Sequence, residues 1–376
     1  MDPRRTGVGR YTRAILRFLP PAAPDTRFVA WYLDVRGVGA RRGSFAGWAP
    51  NLSERATRMP TKLFGPLSAR AGIPRLEWLV GASDLVFATN YIPPPTSAQC
   101  VVAVVHDLAF ELMPETAPHQ DARWRRHFED TLRRATAVIV PSDATRTDLT
   151  RFHPVDPEVL HVVQHGTDAE ALSPAAPIEV EGVRRRFGIE GPYVVFVGGL
   201  EPRKNVELLV RAFGMVEDRT ATLVIAGGVV PWAGGYAERI EGAILELPTA
   251  VRGRVIRTGY VSNADRRALL SGAEVLAYPS KYEGFGFPIL EAFAANVPVL
   301  TSDRSSMPEV AGNAAVLVDP DDPVSIAKGL DELLADADLR NVLRASGTAR
   351  VASFTWERCA RTTAAVLRHA RVSAAA

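Results

Sequence analysis

The sequence predicts an α/β protein built from two Rossmann-like parallel-sheet domains facing across a cleft, and three observations lead there. Short apolar runs rich in valine, such as Phe28–Leu33 and Tyr193–Val197, recur along the chain and read as strands buried on both faces. Helical periodicity fills the intervals: Trp124, Phe128 and Leu132 stand at i, i+4 and i+8 between His119 and Ala135. Strand alternating with helix means a parallel sheet, and the alternation occurs in two blocks. A chain of 376 residues also exceeds what one core usually serves.

The first block, residues 1–170, opens on Gly7-Val-Gly-Arg-Tyr11, read as a glycine turn entering a helix with Tyr11, Ile15 and Phe18 on one face. Such a turn normally follows a strand, yet only Met1–Arg5 precede it, so the expectation is a first strand lost to a mis-assigned start. Further strands are expected at Phe28–Leu33, Leu85–Thr89, Val101–His106, Ala137–Pro141 and Leu160–Gln164. Residues 36–75 break the pattern, being basic and punctuated by Gly and Pro, with Phe45, Trp48, Leu63, Phe64 and Leu67 scattered among them. The plain reading is a mobile surface region. The sharper one is an acceptor-side or peripheral membrane patch, since basic plus apolar residues suit anionic headgroups.

Residues 171–190, with Ser173-Pro-Ala-Ala-Pro177, read as an interdomain linker. The second block, 191–354, has strands expected at Tyr193–Val197, Leu223–Ala226, Val255–Thr258, Val275–Tyr278, Val299–Thr301 and Val316–Val318. Its helices start at Asn205 and Asn263, both read as N-caps, and at Pro288. A closing helix within 355–376 is expected to cross back onto the first domain.

Composition removes several function classes. No apolar run reaches the roughly 18 residues of a membrane span, and no signal-peptide h-region is read at the N-terminus, so the expected location is cytoplasmic, peripheral at the inner membrane face if 36–75 binds lipid. A net charge of +2 does not suggest nucleic acid. Cys100 and Cys359 alone cannot form a disulfide framework or a zinc site. Arginine is abundant, so arginine clusters are discounted; lysine occurs only at 62, 204, 281 and 328, and counts for more.

Tyr278-Pro-Ser-Lys-Tyr-Glu-Gly-Phe-Gly-Phe-Pro-Ile-Leu-Glu291 carries the most chemistry. A strand feeds a loop in which Gly284 and Gly286 let backbone N–H groups approach a ligand at a helix start, and Glu283 and Glu291 flank the concavity. Gly198-Gly199-Leu-Glu-Pro-Arg-Lys-Asn205 mirrors it, with Arg203 and Lys204 placed to neutralise a phosphate; the plain alternative is a solvated turn. His106 ends a buried-type strand, where an imidazole is otherwise often a hydrogen-bonded core residue. Asp319-Pro-Asp321 has metal-motif spacing but lies among prolines after a strand and reads as a turn with a helix cap.

Taken together, Gly7-Val-Gly-Arg-Tyr11, His106-Asp-Leu108, Pro141-Ser142, His165-Gly-Thr-Asp168, Arg203-Lys-Asn205 and Glu283 to Glu291 resemble the family 4 (group 1) retaining glycosyltransferases of the GT-B fold. The likeness covers nearly the whole chain, and the Glu-x7-Glu element with its Gly-Phe-Gly is the specific part. His165 and Thr167 depart from the residues usual there. The resemblance implies that Glu291 accepts from the ribose of a GDP- or UDP-sugar and that Glu283 faces the sugar, with Phe285 and Gly286 offering N–H groups. It further implies that Arg203 and Lys204 clamp the pyrophosphate, with no metal and no other cofactor, and that Gly7, Gly9 and Gly199 approach the donor phosphates. His106 would sit near the anomeric centre, and Ser142 and His165 would line the cleft. A mannosyl donor, GDP-mannose, and a glycan or lipid-linked acceptor complete the expectation. The alternatives are a non-catalytic nucleotide-sugar-binding protein and a nicotinamide-dependent oxidoreductase; the latter lacks a full G-x-G-x-x-G with its acidic partner.

Overall fold

The structure, a computed structural model, describes residues 7–34, 45, 47–58, 64, 67–68, 71–169 and 172–375. Contacts divide the chain into two units, the first comprising Met1–Leu108, His119–Gly166 and Trp356–Ala376, the second Ala109–Pro118 and Thr167–Thr355.

In the first unit, β1 (Phe28–Leu33) pairs in parallel with β2 (Leu52–Thr57). Strands β3 (Leu85–Ala88), β4 (Cys100–Val104), β5 (Ala137–Val140) and β6 (Leu160–Val162) form a parallel four-stranded sheet in that order. Every residue of β4 and β5 is buried, which is why these segments are unbroken apolar runs rather than alternating ones. The helix Gly7–Ala22 turns Tyr11, Ala14, Ile15 and Leu19 inward at helical spacing and packs against the helix Trp356–Ala375.

Two expectations change here. Gly7 and Gly9 do not form a turn ahead of a helix; they lie in its first turn, because a single helix runs from Gly7. The expectation of a lost first strand is not tested, since residues 1–6 ahead of the helix lie outside the described residues. Strand β2 lies within 36–75, read as a loop region because Leu-Ser-Glu-Arg-Ala-Thr has no apolar run; Trp31 Nε1 donates to Thr57 Oγ1 at 2.8 Å, tying the two strands by side chains as well. Residues 35–44, 46, 59–63, 65–66 and 69–70 of the patch lie outside the described residues.

The second unit holds a six-stranded parallel sheet of β7 (Tyr193–Val197), β8 (Thr222–Ala226), β9 (Val255–Gly259), β10 (Val275–Tyr278), β11 (Val299–Ser302) and β12 (Ala315–Val318). The spatial order is β12-β11-β10-β7-β8-β9. The chain therefore builds outward one way from β7 and, after crossing over, the other way from β10. Ligands of open parallel sheets bind outside the carboxyl ends of the strands at such a reversal. Both motif loops leave from these two strands.

The 171–190 stretch is not a plain linker: Pro177–Phe187 is a helix whose Val183 joins the core of the second unit. Asn205 does precede a helix, Val206–Phe213, but caps nothing; its φ is +62° and its amide donates to the carbonyls of Pro279 and Pro320 at 3.1 and 2.6 Å. Ser262, not Asn263, caps the helix Asn263–Ser271 by accepting from the Asp265 N–H at 3.1 Å.

Candidate active site

The loops after β7 and β10 bring Arg203, Lys204 and Glu283 into one buried ionic cluster. Lys204 Nζ lies 2.6 Å from Glu283 Oε1, and Arg203 Nη1 lies 2.5 Å from Glu283 Oε2. Tyr278, the last residue of β10, accepts from Lys204 Nζ at 2.6 Å and donates to Glu283 Oε1 at 2.5 Å. Arg203 also reaches Glu201 Oε1 at 2.7 Å and the Tyr282 carbonyl at 3.2 Å. Burial alone would raise the Glu283 pKa, but the Arg203 guanidinium, then the Lys204 ammonium, outweigh it and hold the carboxyl down at about 2. Burial pushes the Tyr278 hydroxyl well up, and the adjacent Glu283 charge adds to this, so the phenol stays protonated.

Glu283 is the counter-ion of both cations, with both carboxylate oxygens engaged. Its backbone is pinned as well, since Ser305 Oγ donates to the Glu283 carbonyl at 2.6 Å, and Ser306 Oγ lies 2.8 Å from the same oxygen and 2.9 Å from that of Phe285.

Gly286 has φ +104°, a conformation that L side chains rarely adopt, and the helix Phe287–Ala294 starts at the next residue. Pro288 is thus its second residue, and Glu291 lies one turn in. Glu291 is fully buried, and Arg266 Nη1 stands 2.9 Å from both of its carboxylate oxygens. Gly284 and Phe285 are buried in the same loop, the Phe285 ring packing edge-on against Phe287 and Phe354.

Beyond the strand ends, the loops after β7 and β8 touch through their backbones. A Cβ on Gly227 would stand 1.7 Å from the Gly198 carbonyl oxygen, and Leu200 N–H donates to the Gly228 carbonyl at 2.9 Å. Gly199 beside them is half-buried, and a Cβ there would come within 2.9 Å of Val230.

Among the first-unit candidates, His106 is buried with Nε2 2.9 Å from the Thr89 carbonyl oxygen. His165 is buried 5.6 Å away, ring centre to ring centre, and Tyr11 lies 5.0 Å from His106 and 4.6 Å from His165. Burial lowers the pKa of His106 and lowers that of His165 well below its usual value, helped by repulsion from His106. Ser142 is a helix cap: its hydroxyl accepts from the Thr145 N–H at 3.1 Å at the start of the helix Asp143–Phe152. Asp107, next to His106 in the chain, is engaged by the Tyr91 hydroxyl at 3.1 Å.

Asp319 and Asp321 are held by cations. Arg304 Nη2 is 2.7 Å from Asp319, Arg304 also pairs with Asp321, and Lys281 Nζ is 2.8 Å from Asp321. Among the described residues no three His, Cys, Asp or Glu side chains gather as metal ligands would. Nor is any described helix long and apolar enough to cross a membrane.

Sequence reading missed Arg266 and the hydroxyl of Tyr278. The first sits in a helix with no motif, among arginines discounted as compositional; the second was signalled only by a polar tip at the end of an apolar strand.

Known proteins resemble this chain in sequence and in fold. Residues 6–171 match the family described as Glycosyltransferase Family 4, and residues 183–350 match Glycosyl transferases group 1. The O-antigen chain mannosyltransferase B of Escherichia coli is 30% identical over 70% of this chain and 69% of its own length. D-inositol 3-phosphate glycosyltransferase of Jonesia denitrificans is 30% identical over 79% of this chain and 71% of its own. Among solved structures, sucrose-phosphate synthase from Thermosynechococcus elongatus superposes with a TM-score of 0.73 over 99% of this chain and 94% of its own, at 21% identity. Anabaena HepE, solved with UDP and glucose, gives 0.73 over 98% of both chains at 16% identity. The fold is therefore GT-B, and the chain belongs to the group 1 glycosyltransferases.

Proposed function

We propose that the protein transfers a hexosyl group from a nucleotide-sugar to a glycan or lipid-linked acceptor, with retention of anomeric configuration and without a metal. The observation that carries this reading is the Arg203–Lys204–Glu283–Tyr278 cluster at the sheet's reversal point. Bond cleavage at the anomeric carbon leaves growing negative charge on the departing diphosphate. Two cations already fixed in a desolvated crevice meet that charge without rearranging, typically the largest single catalytic contribution. Glu283 keeps them in place until a diphosphate competes for them, and its carboxylate is then released toward the sugar hydroxyls.

Glu291 takes the ribose, and the N–H groups of Phe285 and Gly286 take sugar or phosphate oxygens. Gly199 permits close approach of the diphosphate. In the first unit, Gly7 and Gly9 present N–H groups of a helix start to the donor phosphates. His106, kept neutral, helps to position the sugar near the anomeric carbon, while Ser142 and His165 shape the site around it. GDP-mannose is the preferred donor in this reading, supported by the likeness to a relative described as a mannosyltransferase. The protein acts in the cytoplasm and meets the inner membrane face through 36–75, where basic and apolar residues mix.

The deciding experiment is calorimetric titration with GDP and UDP in chelator, followed by a panel of nucleotide sugars screened for turnover. Binding of one nucleotide without magnesium, and release of it from one sugar donor, is the expected result. NADH binding with no response to either nucleotide would overturn the reading.

A further inference from the structure

We propose that Arg266 is a positioning residue that holds the Glu291 carboxylate for the two vicinal hydroxyls of the donor's ribose, and so gives the site its preference for a ribonucleotide. The inference rests on the reading that Glu291 faces the ribose. Glu291 is fully buried, with only 1% of its side chain exposed, while Arg266 retains 22%. A carboxylate so buried keeps its charge only with a partner; without one it takes up a proton or rotates away, and in either case loses its acceptors.

The contact geometry suits this role. A single nitrogen, Nη1, stands 2.9 Å from each oxygen, so Arg266 takes one acceptor position on each. An ionised carboxylate offers about four such positions. A vicinal diol also needs one per oxygen, so guanidinium and ribose can share the group.

The helix that carries Arg266 is tied to a second helix. The neighbours of Arg266 on either side tie the helix Asn263–Ser271 to the helix Pro177–Phe187. Asp265 pairs with Arg186 at 2.8 Å, and Arg267 pairs with Glu179 at 2.7 Å. Arg266 thus lies between two ion pairs while its side chain crosses to another helix. The Glu179–Arg267 and Arg186–Asp265 pairs explain why the flanking residues are charged; the Glu291 contact explains the charge between them.

The test uses the full chain and compares the Kd of GDP and UDP with those of their 2′,3′-dideoxy forms. The wild type should bind the dideoxy form of its preferred nucleotide at least about tenfold more weakly, the scale of hydrogen bonds to a charged group. Arg266→Gln should bring that ratio close to one while leaving the dideoxy Kd unchanged. Arg266→Lys, which restores a cation, should recover part of the ratio; it also carries the test if the Gln variant does not fold. A wild-type ratio in Arg266→Gln, an equal weakening of both nucleotides, or a Lys variant that discriminates no better than one to one overturns the proposal. Glu291→Gln separates the two levels: a wild-type ratio in that variant removes the ribose reading itself, whereas a collapsed ratio there beside an unchanged one in Arg266→Gln removes only the role of Arg266.

Discussion

At the ends of β7 and β10, the second unit keeps Arg203, Lys204 and Glu283 charged by placing them against one another. Around His106 and His165, the first unit does the reverse, packing the imidazoles against Tyr11 and depressing their pKa so that the neutral form prevails. Both regions are buried, so burial is not the difference. What differs is the partner: a buried carboxylate between two cations gains from ionisation, whereas a buried imidazole next to another imidazole loses by it. The contrast leaves fixed charge in one unit and neutral rings in the other. It also gives the two regions separate responses to acid.

The largest effect should come from Glu283→Gln. The carboxyl titrates at about 2 in the folded state against an ordinary 4.5, so its ionised form contributes stability above about pH 4.5 that is lost as the pH falls toward 2. The variant should therefore be less stable than the wild type at pH 7 by on the order of 3 kcal/mol, and the gap should close in acid. Melting curves at pH 7 and pH 3 would show it; a gap that is constant with pH would mean that the ionic cluster does not stabilise the fold.

Lys204→Ala comes next, with turnover falling roughly a hundredfold, the scale of one pre-placed electrostatic contact. Steady-state kinetics with the preferred donor would decide, and unchanged turnover would remove Lys204 from the chemistry. Tyr278→Phe should be milder. Loss of one hydroxyl between Lys204 and Glu283 should lower kcat about tenfold, the scale of a hydrogen bond to a charged group, with KM for the donor moving less. A rise in KM with kcat unchanged would mean that the hydroxyl serves binding and not the placement of the lysine.

The smallest effect probes the neutral side. His165 is held well below its usual pKa of 6.5, so the unfolded chain takes up its proton first and stability declines as the pH drops below about 6.5. His165→Gln should flatten that decline between pH 6.5 and 5 and leave the lower-pH behaviour of Glu283 in place. If the slope near pH 6 is the same in the variant, the imidazole is not what the first unit loses in acid.

Much of this was legible in the sequence, and the pattern of misses has physical causes. Tyr193–Val197 and Val275–Tyr278 were bounded to the residue, because a strand covered on both faces must be apolar throughout. Leu52–Thr57 was not, since only Leu52 and Ala56 in it are apolar. The helix Pro177–Phe187 hid behind a Pro- and Ala-rich lead that resembles a linker, although Pro at its first position is a sound helix start. At the site, Arg203, Lys204 and Glu283 were found from loop chemistry, but their mutual pairing depends on two loops 79 or 80 residues apart in sequence. Arg266 and Glu291 are 25 residues apart on different helices, and no local spacing rule connects them.

The backbone contact between Gly198 and Gly227 bears on how far this scaffold can be re-engineered. In a combinatorial library randomised over the loop after β8, position 227 would return glycine alone, since any side chain would collide with the Gly198 carbonyl 1.7 Å from its Cβ. Its neighbour 228, where a Cβ would meet nothing nearer than Tyr260 at 3.9 Å, should accept many residues. Selection for new donors would then find its variation one residue away from a fixed point.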